Sequence, residues 1–149
     1  MPADRIRTTS LRGALAGAVA AGLWAAQEPL DRRVFGVPYS DVELLGRTTR
    51  SAAWRPIGAL LHIGNGALFG ALYARVAPSL PGPSWARGLA AGMAEHLATW
   101  PSTALVGRLH PEGERFPRLW GDHRAFAQAT WRHALFGVLL GTVERRLNP

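Results

Sequence analysis

The chain has 149 residues, 48% of them hydrophobic, and a formal net charge of +7 from 17 arginines and no lysine. This is enough for one domain with a core and short for two. The absence of cysteine excludes disulfides, thiolate metal sites, iron–sulfur clusters, covalently attached haem and cysteine nucleophiles.

The first apolar run, Gly13 to Gln27, carries no charge, and from Leu11 to Leu30 it reaches about 30 Å as a helix, enough to cross the hydrocarbon layer. Arg5, Arg7 and Arg12 before it and "AAQ" at its end resemble a cleaved leader, but the later runs are equally apolar, so 11–30 is read as a span closing at Glu28-Pro29. A polar stretch, 31–54, follows. Within it "SDVE" has capping-box spacing and predicts a short helix on the membrane surface from about Asp41 to Leu45, stopped by Gly46.

The second span, 55–75, is uncharged from Pro56 to Ala74, and Pro56 suits a first helical turn. "VAPSLPGPSW" then reads as a tight turn. The third span, 86–107, is broken only by Glu95-His96 and by Pro101, which leaves the Leu97 carbonyl without its usual donor. The loop 108–124 is polar, and its His110 and His123 match no metal-ligand spacing. In the fourth span, 125–144, Arg132 and His133 lie about 10 Å inside the start, within snorkelling distance of the headgroups.

These runs predict an all-α fold: a four-transmembrane-helix bundle, residues 1–149 forming one membrane domain. Trp54, Trp85, Trp120 and Trp131 stand near segment ends, as interfacial tryptophans do, and glycine inside the runs suits helices packed in lipid. A soluble helical bundle is the alternative, given a mean hydropathy of only +0.01. The arginines group between the runs and form no stripe, which points to a lipid bilayer as partner and away from nucleic acid. Seven arginines fall on the side of the termini and nine on the other, and the termini are assigned to the cytoplasm. "RGALAG" and "RGLAAG" open the first and third spans, and "ALFG" recurs in the second and fourth, so the hairpins read as two copies in parallel orientation.

Gly13 and Gly17 stand four apart in the first span. Stepping by four gives Gly58, His62, Gly66 and Gly70 in the second, Gly88, Gly92, His96 and Trp100 in the third, and His133, Gly137 and Gly141 in the fourth. Such small-residue ridges are helix contacts in membranes, so the histidines should face inward. With Glu95 one residue off the ridge and Asn65 a turn below His62, this predicts a polar layer inside an apolar bundle. Its first reading is structural: groups that satisfy one another and fix helix register. The alternatives are proton, ion or small-solute transport by a homo-oligomer, and a non-covalent haem b between His62 and His133. A partner membrane protein is a further option. No catalytic motif or metal set accompanies the layer, so no enzyme is predicted.

The stretch "PLDRRVFGVPYSDVELLG" with its flanking Ala/Gly-rich span resembles small, uncharacterised bacterial integral membrane proteins, loosely over most of the chain. The resemblance implies a multi-pass location in the bacterial plasma membrane and no activity.

Overall fold

The computed structural model describes residues 3–149, the Arg5 side chain lying outside the described set, and every regular element among those residues is helical. Helix α1 spans Ala3–Phe35, α2 Asp41–Arg47, α3 Trp54–Val76, α4 Ser84–Thr99, α5 Val106–Leu109 and α6 His123–Leu147. By length and composition, Trp54–Ser79 qualifies as a membrane span. No other stretch of the described residues passes that test: α4 has 16 residues, and α1 and α6 are long enough but not apolar enough.

Four boundaries differ from expectation. Helix α1 does not close at Glu28-Pro29 but passes through Pro29 to Phe35. Proline inside a helix removes one backbone hydrogen bond and costs about 3 kcal/mol, and the side chains of Glu28 and Asp31 hold the extra turns in place through the contacts described below. Helix α2 begins where the capping box puts it, Ser40 Oγ accepting from Glu43 N at 3.1 Å, yet Gly46 does not stop it. Gly46 is instead buried where a methyl group would overlap the Trp54 carbonyl, and one on Gly58 would overlap the Val42 carbonyl, so α2 is packed onto α3 and not laid free on a surface. The third run is not one helix: at Pro101 the α-helix gives way to a 3-10 segment, Trp100–Leu105, before α5. Helix α6 starts two residues early because Asp122 Oδ1 accepts from the backbone of Arg124 and Ala125 at 2.7 and 3.1 Å.

The long helices pack in the order α3, α1, α6, α4. Glycine sets how closely. A Cβ on Gly13 or Gly17 would strike the carbonyls of Gly70 or Gly66, and one on Gly88 or Gly92 those of Gly137 or His133; Gly141 likewise meets Ser84. Two backbone-to-backbone seams result, α1 on α3 and α4 on α6. By contrast α3 and α4 scarcely touch, which leaves a cleft between them floored by α1 and α6.

The interior is small and polar, and the exterior is leucine. Alanines 16, 20 and 21 form the core with Trp24, Tyr73, Phe136 and Leu140, and the largest fully buried side chains are Arg132, Leu140, His96, Gln128 and Asp31. Outward, α1 exposes Leu11, Leu15, Val19, Leu23, Leu30 and Val34, and α3 exposes Leu60, Leu68, Leu72 and Val76.

Candidate functional site

Two polar groups occupy the half of the bundle where α1 ends and α3 and α6 begin. The first is centred on Arg132, which does not snorkel: it is 0% exposed. The expectation fails because the side chain turns inward to acidic partners at the end of α1. Its guanidinium grips Asp31 with two bonds of 2.7 Å, reaches Asp41 Oδ2 at 2.6 Å and the Tyr39 carbonyl at 3.2 Å, lies 3.8 Å from Glu28, and stacks 4.5 Å over the Tyr39 ring. Gln27 and Gln128 donate to Asp31 at 2.6 and 2.7 Å, while Ser40 Oγ and Asp41 N donate to Glu28. A buried bidentate arginine with its partners saturated is worth little over an apolar core but is costly to break. Burial, reinforced by the Asp41 carboxylate, pushes the Tyr39 phenol well above its ordinary range, so it stays protonated.

The second group lines the α3–α4 cleft, a cavity of about 220 Å³. His62 and Asn65 reach it from α3, Glu95 and Trp100 from α4 and the following turn, Trp24 from α1 and His133 from α6. Glu95 Oε2 meets His133 Nε2 at 2.7 Å, with the Glu95 side chain 30% exposed. His133 Nδ1 donates to the Ala129 carbonyl at 2.7 Å, so its Nε2 is the nitrogen left to meet the carboxyl. The Glu95–His133 contact therefore needs one shared proton, as imidazolium with carboxylate or imidazole with carboxylic acid. His62 is 7% exposed, and its Nε2 has no partner among the described residues. The Trp24 indole stands edge-on to His62 at 5.1 Å and to His133 at 4.7 Å and donates to Asp41 at 3.3 Å, linking the two groups.

Most of the expected layer thus meets at one place, with two departures. His96 does not pair with its neighbour Glu95, because adjacent helical residues point about 100° apart. It is buried away from the cleft, its Nε2 at 3.0 Å from Thr130 Oγ1; that hydroxyl donates to the Phe126 carbonyl, so the imidazole is the donor. Asn65 lies at the exposed rim and not inside. Trp100 packs on His96 and Phe126 at 5.7 and 5.2 Å.

A haem between His62 and His133 does not fit. The indole of Trp24 is packed against both rings, and the cavity is smaller than the roughly 300–1,000 Å³ of typical cofactor sites. No cluster of metal-ligating side chains occurs among the described residues, and His110 is engaged with the Leu44 carbonyl at 2.9 Å.

The residues overlooked in sequence are Trp24, Glu28, Asp31, Asp41, Gln128 and Arg132. One signal could have found the ion cluster: an arginine near the start of one apolar run, at the end where an antiparallel run closes on Glu28 and Asp31. No family model, no curated protein and no solved structure matches the chain.

Proposed function

We propose that this is a small four-span integral membrane protein of the bacterial plasma membrane, with cytoplasmic termini, whose α3–α4 cleft handles protons and small solutes within the bilayer. The observation that supports it is the inverted distribution of side chains. Leucine and valine stripes cover the outside of α1 and α3, while Arg132, Asp31, Gln128 and His96 are fully buried. In water such stripes have no reason to stay exposed, whereas in lipid the apolar face is the solvated one and polar groups turn inward. In α6 the polar residues at the middle of the helix, Gln128 and Arg132, are fully buried.

The polar groups divide by their bonding. In the Arg132 cluster the guanidinium and the Asp31 carboxylate are fully engaged, and the cluster serves architecture. The Glu95–His133 pair is half-open to a cavity and carries a transferable proton, which suits transport. One chain encloses only a cleft, so a continuous pathway calls for a homo-oligomer or a partner membrane protein.

The two seams match position for position, Gly13, Gly17, Gly66 and Gly70 meeting as Gly88, Gly92, His133 and Gly137 do, in keeping with two related hairpins. The relation breaks where α1 packs on α6 while α3 and α4 stay apart, which is where the cleft lies.

The protein should remain with membranes through carbonate extraction, and reconstituted vesicles should take up protons under an imposed pH gradient. Glu95→Gln should abolish that uptake with helicity intact. Recovery of the wild-type chain in a detergent-free soluble fraction would overturn the membrane reading, and unchanged uptake in the variant would overturn the role of the pair.

A further inference from the structure

We propose that the α3–α4 cleft binds a lipophilic amine in its ammonium form, entering sideways from the bilayer, and that the bound ammonium replaces the proton shared by Glu95 and His133. The inference rests on the membrane reading above and names the ligand of the same cleft.

The lining selects the charge. It contributes the carboxylates of Glu95 and Asp41 and no arginine or lysine. Asp41 is already engaged, since its Oδ2 takes bonds from both Arg132 and Trp24, whereas Glu95 spends one oxygen on His133 and keeps the other free. The lining also holds the aromatic side chains of Trp24, Trp100, Phe69 and Phe136, a kind of ring that attracts a cation once water is excluded.

Anionic heads would meet two carboxylates, and a neutral ligand would leave the aromatic enclosure without a cation.

His62 selects the kind of cation. His62 lines the cavity, and its Nε2 is buried and unpartnered among the described residues. As an acceptor it fits an N–H, which a protonated amine has and a quaternary ammonium lacks.

Size and access complete the match. About 220 Å³ holds an ammonium and a ring, given that an engineered cavity of about 150 Å³ binds benzene. An alkyl tail must then leave between α3 and α4, which scarcely touch and carry Leu61, Leu68 and Leu97 on exposed positions.

Protons balance as follows. With its shared proton the Glu95–His133 pair is neutral. The ammonium brings one positive charge, the shared proton leaves to water, the Glu95 carboxylate pairs with the ammonium, and His133 stays neutral with Nδ1–H on Ala129. The other ionisable groups around the pair are His62 on α3, His96 on α4 and Asp41 on α2; Arg132 of α6, with Glu28 and Asp31 of α1, lies behind Asp41 as a closed cluster.

The test uses the full chain in lipid nanodiscs with 4-octylphenethylamine as probe, reading tryptophan fluorescence and, in weak buffer, proton release. Expected are saturable binding, release of up to one proton per amine bound, and affinity that falls as proton concentration rises, as competition for one site requires. Glu95→Gln should abolish the release and weaken binding at least tenfold. His62→Phe should weaken the amine but not its N-trimethylated analogue. Binding of 4-octylphenethyl alcohol as tight as that of the amine, binding without proton release, or no saturable binding would overturn the proposal. Should Glu95→Gln fail to fold, the wild-type proton count and the His62→Phe comparison decide. A chain that resists carbonate extraction and passes protons yet ignores the amine sinks this inference alone, whereas a chain absent from membranes sinks both.

Discussion

Arg132 illustrates how much one side chain can organise. It joins α6 to the end of α1, to α2 and to the connecting segment, with partners 91 to 101 residues away in sequence. Removing one member of a buried ion pair strands the others, and the typical penalty is about 3–5 kcal/mol. Arg132→Met should lower stability by that order in detergent-based unfolding, and Asp31→Asn should recover part of the loss by removing a stranded charge. Glu95→Gln should cost far less stability, because Glu95 is 30% exposed and bonded once. Residue-level legibility followed the same line. The histidines were readable because they share a four-residue spacing with glycine, a purely local pattern. The partners of Arg132 were not, since no local signal ties Asp31 to a residue 101 positions on. Trp24 was invisible for another reason: within an uncharged run, an indole facing lipid and one facing a polar cleft look alike.

At the scale of helices, glycine acts by allowing backbones to meet. Gly17 and Gly88 have a neighbouring carbonyl where a methyl group would go, while Gly64 has nothing within 4 Å. Gly17→Ala and Gly88→Ala should therefore push the seams apart and cost about 1–3 kcal/mol, as overpacking does. Gly64→Ala, on an open face of α3, should be neutral or stabilising by up to about 1 kcal/mol through helix propensity. Thermal unfolding of the three variants in one detergent checks the contrast. Element limits were readable where a cap or proline acts alone, as at Ser40 and Pro101, and unreadable where tertiary bonds overrule the local rule. Pro29 should end α1, yet Glu28 and Asp31 on either side of it are held by Ser40, Asp41 and Arg132, so the helix continues.

For the molecule as a whole, the exterior stripes decide which solvent it suits. Arginine at the centre of a lipid-facing helix costs about 2.5–3.5 kcal/mol on insertion scales. Leu68→Arg, at an exposed position midway along α3, should impair membrane insertion by roughly that much, whereas Arg55→Leu at the start of the helix should not. Fractionation after expression separates the two. On the membrane reading proposed above, averaging along a sequence cannot tell an arginine turned toward its counter-ions, as Arg132 is, from one turned toward lipid.

The ion cluster also imposes an order of assembly. Glu28, Asp31 and Asp41 are synthesised some ninety residues before the only guanidinium that joins them. Helix α6 is thus the element whose arrival neutralises the three acidic groups. A chain truncated before α6 would leave these three carboxylates without Arg132.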